Sequence, residues 1–168
     1  MKRPPTESSF AEARTTYQGY VFGFVSRRIK PVEDAEDVTV EVFVDAYRNW
    51  RKCTGDPRLW LLGIARRKVA DAYRRRKPHF QLSAKDEPAG DTFEEFVGGY
   101  QSQQALQLLQ KLPPDQRDAL LLQILEELSI EEIAKVMGRS HAATNSLLQR
   151  ARKQVRSIVN AQEVTQGV

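Results

Sequence analysis

The sequence predicts an all-α chain organised as two small helical domains joined by a flexible linker. Three observations carry that expectation. Apolar residues recur at three- and four-residue steps in both outer parts of the chain, while β-branched alternation is scarce. Between them, PHFQLSAKDEPAGDTFEEFVGGYQSQ at residues 78–103 shows no sustained period and holds Pro78, Pro88, Gly90, Gly98 and Gly99. A length of 168 residues, with 40% hydrophobic and 29% charged, suits one ordinary domain or two small ones and excludes a large multidomain enzyme. The expected boundaries are a first domain at 1–77, the linker at 78–103, a second domain at 104–160 and a tail at 161–168.

Each element has its own signal. A first helix, from about Phe10 to Ile29, places Tyr17, Tyr20, Val21, Phe24 and Val25 on one face. A second, around Glu36 to Trp50, has a stripe of Ala35, Val38, Thr39, Val42, Phe43, Ala46, Tyr47 and Trp50. A third, from about Pro57 to Lys77, turns Trp60, Leu61, Ile64, Ala65, Val69, Ala72 and Tyr73 inward. In the second domain Leu106, Leu108, Leu109 and Leu112 lead into Pro113-Pro114, and the second proline suits a helix start before Asp115. Leu120, Leu121, Ile124 and Leu125 form the next expected core face. Ser129-Ile130-Glu131-Glu132, with Glu132 three residues after Ser129, is close to a capping box and opens a short helix through Met137.

Composition narrows the chemistry. The one cysteine, Cys53, excludes an internal disulfide framework and a multi-thiolate zinc site, and the two histidines, His79 and His141, do not supply a metal site instead. No nucleophile, acid–base pair or phosphate-cradling glycine loop is evident, so no catalytic residue, cofactor or metal is expected. No apolar run approaches the roughly 20 residues that cross a bilayer, and MKRPPTESSF lacks the core of a signal peptide. A cytoplasmic protein with no membrane insertion is the expectation. The net charge of +4 invites a polyanionic partner. It is unevenly spread: residues 1–77 hold 17 Lys/Arg against 10 Asp/Glu, the linker one against five, and residues 104–168 eight against seven.

The segment from Ser129 to Arg156 carries the most specific pattern. A short helix, IEEIAKVM, meets Gly138, and after Arg139-Ser140 a longer basic helix begins, HAATNSLLQRARKQVR. Helix, glycine-containing turn and second helix is the helix-turn-helix arrangement. On the second helix Thr144, Leu148, Ala151, Val155 and Ile158 step inward, leaving His141, Asn145, Ser146, Gln149, Arg150 and Lys153 outward. Asn, Gln and Arg side chains make bidentate contacts to base edges, and Arg and Lys neutralise phosphates. Ser140 is placed to cap this helix and leave its N-terminal amides facing phosphate. The plainer alternative is a solvated amphipathic helix closing a bundle.

In the first domain the face opposite the core stripe of the second helix holds Asp37, Val40, Glu41, Val44 and Arg48. Valines rimmed by charge favour a protein docking surface, although a wide core stripe with ordinary surface acids gives the same pattern. Further on, RNWRKCTGDPRLWLLGIARRKVADAYRRRK interleaves Trp50, Trp60 and Tyr73 with eleven basic residues. Aromatics stack on unpaired bases while cations neutralise phosphates, which suits single-stranded nucleic acid. The alternative places the tryptophans in the core and Arg74 to Lys77 at a solvated helix end that complements the helix dipole.

Taken in order, AEDVTVEVF at Ala35 to Phe43, WLLGIARRKVADAYRRRK at Trp60 to Lys77, LPPDQRDALLL at Leu112 to Leu122, and SIEEIAKVMG followed by SLLQRAR at Ser146 to Arg152 resemble an extracytoplasmic-function (ECF, group IV) bacterial RNA polymerase sigma factor of the sigma-70 family. The resemblance implies a sigma2 domain that binds the clamp helices of the polymerase β′ subunit and opens the -10 element. It also implies a sigma4 domain that binds the β flap and reads the -35 element, and an anti-sigma factor as a regulatory partner. Core RNA polymerase and promoter DNA are thus the implied partners.

By that resemblance Asp37 and Glu41, with Val40 and Val44 between and beside them, fall on the polymerase-binding helix. The loop from about Arg51 to Leu59 matches the segment that captures flipped -10 bases, with the basic helix beside it. Arg51, Lys52, Arg58, Trp60, Arg66, Arg67 and Arg74 are the implied -10 residues. Ser140, His141, Asn145, Ser146, Gln149, Arg150 and Lys153 are the implied -35 residues. Three positions depart from the family pattern. Val40 replaces a usual glutamine, Arg67 replaces a common asparagine, and Ala142 to Leu148 stands where G-T-V-K-S-R-L is common, with two fewer basic side chains. Each lost phosphate contact lowers the salt slope by about one, so an unusual -35 sequence or weaker sigma4 affinity is expected. Two rivals remain at this stage. One is a sigma-like DNA-binding regulator without polymerase recruitment; the other is a chain whose sigma4 domain binds mainly protein, with Leu147 extending an apolar patch.

Overall fold

The structure, a computed structural model, describes residues 7–76 and 107–167, and every regular element among them is helical. The expected linker at 78–103 lies outside the described residues, as does Leu106. The chain divides into two compact units, residues 1–81 and 82–168.

The first unit is a three-helix bundle of α1 (Glu7–Ser26), α2 (Val32–Arg48) and α3 (Pro57–Arg76), with a 3-10 turn at Trp50–Lys52 between α2 and α3. All three helices pack on one another. Val21, Phe24 and Val25 from α1 meet Ala35, Val38, Val42 and Ala46 from α2 and Leu61, Leu62, Ile64 and Ala65 from α3, all buried. Because α3 is covered by two helices, its buried arc is wider than a single stripe and takes in Leu59 and Leu62 as well. Three expectations for this core need correction, the first being Tyr73, which is half-buried with its hydroxyl donating to the Arg28 carbonyl. Tyr47 is 54% exposed, with its ring edge-on to Phe10 at 5.2 Å rather than in the bundle. Trp60 is half-buried at the end of the bundle, at the first turn of α3.

Polar groups set the ends of these helices. Asn49 stops α2, its side-chain amide donating to the Asp45 carbonyl and carboxylate at 3.0 Å each. Asp56 starts α3: its Oδ1 accepts the Arg58 amide at 2.9 Å, and its carbonyl accepts the Trp60 amide at 3.1 Å.

The described part of the second unit comprises a helical turn at 107–110, followed by α4 (Pro114–Ile124), α5 (Ile130–Met137) and α6 (His141–Gln166). Pro114 occupies the first position of α4, where its missing N–H costs nothing. The core joins Leu108, Leu109 and Leu112 with Ala119 to Leu122, Ile133, Ala134, Leu148, Ala151 and Val155. Ser129 and Glu132 form the full capping box, with bonds of 3.2 and 2.9 Å.

Four details differ from expectation here. Ile124 and Leu125 are only half-buried, because α4 ends there and the chain folds back, the Leu128 amide bonding the Leu122 carbonyl at 3.2 Å and Leu128 taking the buried place. Ile158 is half-buried while Val159 faces in. Leu147 is buried, 4% exposed, since α6 packs against both α4 and α5 and its buried arc spans Thr144, Leu147 and Leu148. The apolar surface patch expected at Leu147 is therefore absent. Residues 161–166 continue α6 rather than forming a tail.

Candidate functional site

In the second unit, the turn between α5 and α6 fixes how the outward face is presented. Gly138 adopts φ +64°, a left-handed conformation that a side chain disfavours. The Arg139 amide then bonds the Ala134 carbonyl at 3.0 Å, closing α5. Ser140 begins α6 by accepting the Ala143 amide at 3.1 Å, so the first turn of α6 faces solvent with its amides directed outward. Arg139 of the turn pairs with Asp115 at the start of α4, and Arg152 of α6 donates to Gln123 at 2.6 Å, so both the turn and α6 are tied to α4.

Against that scaffold Ser140, His141, Ser146, Gln149, Arg150 and Lys153 are exposed and Asn145 is half-buried. Their α6 positions, 141, 145, 146, 149, 150 and 153, lie along one side of the helix, opposite buried Thr144, Leu148, Ala151 and Val155. The face is mostly neutral, its amides and hydroxyls outnumbering its cations.

In the first unit, α2 presents Asp37, Val40 and Val44 to solvent, with Val40 62% and Val44 43% exposed, and Glu41 half-buried beside them. Glu41 reaches Arg75 of α3 at 3.5 Å, so this acid is held by the basic end of the neighbouring helix. Asp45 likewise meets Lys68 at 3.9 Å. Towards α1, the valines border an apolar groove that sequence reasoning did not identify. Its floor includes Phe10, Phe43 and Tyr47, and Arg14 and Arg48 stand at its edge. The sequence signal was present only as Phe10 and Arg14, one helical turn apart on a different element.

The loop between the 3-10 turn and α3 brings together most of the remaining candidates. Arg51 and Lys52 are exposed, Arg58 is half-buried with its guanidinium 3.9 Å from Asp56, and Trp60 packs edge-on to Trp50 at 5.7 Å. Trp50 is buried and its Nε1 donates to Ser9 at 3.0 Å. Trp50 thus belongs to the core, while Trp60 keeps part of its ring accessible. Cys53 sits in the same cluster, and burial pushes its thiol pKa up. Along α3, Arg66 is half-buried and Arg67 exposed, and Arg74 pairs with Asp71 one turn before it. Arg51 and Lys52 stand on the 3-10 turn and Arg67 and Arg74 further along α3, so the -10 candidates are spread over the turn and the length of α3. Among the described residues no cluster of His, Cys, Asp and Glu is arranged to hold a metal, and no helix is long and apolar enough to cross a membrane.

Known proteins share this arrangement. Residues 14–79 match the family described as sigma-70 region 2, and residues 102–155 match sigma-70 region 4. RNA polymerase sigma factor YlaC of Bacillus subtilis is 30% identical over 148 residues, covering 83% of this chain and 86% of that protein. The ECF RNA polymerase sigma factor SigM of Bacillus subtilis is 29% identical over 150 residues, covering 86% of this chain and 91% of that one. Among solved structures, CnrH in complex with the cytosolic domain of CnrY superposes with a TM-score of 0.62 at 25% identity, over 93% of this chain and 90% of that chain. Two region matches in order on two helical units, with relatives similar across most of their length, place the chain in the ECF group of the sigma-70 family of RNA polymerase sigma factors, and its function is promoter-directed transcription initiation.

Proposed function

We propose that residues 1–77 act as the sigma2 domain and residues 104–160 as the sigma4 domain, with polymerase recruitment carried by α2. The observation that supports this most directly is the exposed Val40 and Val44 beside Asp37 and Glu41. Apolar surface removed from water supplies affinity, and the acids set which partner and which register are accepted. The partner surface is the clamp helices of the β′ subunit, and sigma4 contacts the β flap. Binding energy gained there is spent on opening the -10 element, whose unpaired bases the Arg51 to Leu59 loop captures. Arg58 and the accessible part of Trp60 provide charge and stacking surface, and Arg66, Arg67 and Arg74 hold the strand's phosphates.

On sigma4, Asn145, Gln149 and Arg150 read base edges of the -35 element, while Ser140, His141, Ser146 and Lys153 fix the helix on the backbone. The work is binding alone, performed in the cytoplasm where polymerase and promoter DNA meet, with no catalytic residue and no cofactor. A regulatory protein of the anti-sigma class fits the same surfaces, in keeping with CnrH having been seen bound to the cytosolic domain of another protein. Burial of Leu147 removes the patch that favoured a protein-binding role for sigma4.

The deciding experiment is a pull-down of core RNA polymerase with Asp37→Arg and Glu41→Arg, together and singly. Association should fall by about ten-fold or more for the double variant, since juxtaposed like charges cost several kcal/mol at an interface. Unchanged association would leave a sigma-like DNA-binding regulator as the better reading. In vitro transcription on a randomised promoter library then reveals both promoter elements at once.

A further inference from the structure

α6 carries a cation that belongs neither to its inward stripe nor to its outward row. Arg152 follows Asn145 by seven residues, which places it within about 20° of Asn145 around the helix and about 10 Å further along the axis. It is half-buried, and its guanidinium donates at 2.6 Å to Oε1 of Gln123, near the end of α4. Gln123 is also half-buried, and the bond crosses between two helices that pack on each other. By contrast, Arg139 is held by the carboxylate of Asp115, and Lys135 by that of Glu131 at 3.3 Å. Arg152 is held by a neutral amide. The bond restrains its rotamer without offsetting its charge.

We propose that Arg152 is a further contact to the phosphate backbone of the -35 duplex, and that Gln123 is the residue that positions it. On the reading of α6 as the -35 helix, on which this assignment rests, its N-terminal residues meet base edges in a major groove about 12 Å wide. With Asn145 and Gln149 over the bases, a side chain on the same line about 10 Å past Asn145 stands at the groove wall, where the phosphates are. The guanidinium fork suits a phosphate, and Gln123 engages only part of it. A side chain already restrained loses less freedom on binding than a free one. The amide at position 123 matters for the same reason: a carboxylate there would fix the rotamer equally well and cancel the charge. The two basic side chains missing between Ala142 and Leu148 are thereby made up in part from outside that segment.

The probe is a set of fluorescein-labelled 24-base-pair duplexes enriched from a random pool by the full wild-type chain and titrated by polarisation across a range of salt. Arg152→Ala should reduce the slope of log affinity against log salt by about 0.9, the value of one phosphate on a duplex, and weaken all selected sequences alike. Gln123→Glu should reduce the slope by a similar amount with Arg152 still present. A purely structural bond between α4 and α6 would not give that result, because glutamate holds an arginine at least as well as glutamine does. Gln123→Leu, which releases the guanidinium, should keep the slope and weaken binding about two- to ten-fold. Lys111→Ala removes one exposed charge elsewhere in the unit and should leave the slope unchanged. Replacing single duplex phosphates by neutral methylphosphonate should reveal a position whose effect on the wild-type chain is absent in Arg152→Ala. If Arg152→Ala does not fold, Gln123→Glu carries the test. A wild-type slope in Arg152→Ala or in Gln123→Glu overturns the proposal, as does an equal loss in Lys111→Ala. A selected sequence that shifts in Asn145→Ala, beside a wild-type slope in Arg152→Ala, keeps the -35 reading and removes this contact. Failure of the wild-type chain to enrich any duplex removes both.

Discussion

On the proposed function the two units would meet nucleic acid with different chemistry, and the difference lies in how their charges are held. In the first, cations are abundant but several are engaged: Arg58 by Asp56, Lys68 by Asp45, Arg74 by Asp71 and Arg75 by Glu41. Pairs like these, exposed or half-exposed, are worth little to folding, about 0 to 1 kcal/mol each. In the second, α6 turns a mostly neutral row of Asn145, Ser146 and Gln149 outward with Arg150 and Lys153 behind it. By that proposal one unit would hold a flexible, highly charged strand and the other would discriminate base edges on a duplex.

The largest effect that sharpens this contrast comes from the core of the second unit. Leu148→Ala removes a side chain with no solvent exposure and should destabilise that unit by about 2 to 5 kcal/mol. Duplex binding should fail in mobility-shift assays while polymerase association through α2 persists; joint loss of both would break the division of labour. Next, Asn145→Ala and Gln149→Ala should each cost about 1 to 3 kcal/mol of discrimination between promoter variants, with the slope of affinity against salt unchanged. Arg67→Ala should behave in the opposite way, lowering the salt slope for a single-stranded -10 oligonucleotide by about 0.7 with little change in sequence preference. A slope change at Asn145, or none at Arg67, would remove the distinction. Smallest is Gly138→Ala, which forces a side chain into the left-handed region and should lower the thermal midpoint by an amount equivalent to about 1 kcal/mol, with the turn otherwise free of steric obstruction.

The sequence made most of the fold legible, because α2, α5 and α6 are amphipathic and several helix ends carry recognisable caps. Ser129 with Glu132, Pro114 and Gly138 each act locally, so their signals do not depend on the rest of the chain. What escaped depends on how many neighbours a helix has. Leu147 looks exposed on a helix with one partner and is buried on a helix with two, and the same reasoning explains Leu62 on α3. Tyr47 lies in the arithmetic stripe of α2, yet it falls where α1 and α2 diverge into the groove. The reversal after α4 was equally hidden, because Glu127 adopts φ +53° without a glycine or asparagine to announce it. The outward row on α6 could be read directly from spacing; the groove could not, because Phe10 and Arg14 come from another helix.

The tryptophan pair has an optical consequence. The chain contains two tryptophans, and both stand at the loop of the first unit, edge-on to one another, with Trp60 partly open to solvent. Ultraviolet emission excited at the red edge of the absorption band therefore originates in that unit, and the helix-turn-helix unit is dark. A base stacking on Trp60 would quench a native signal, so strand capture can be timed in the unlabelled protein.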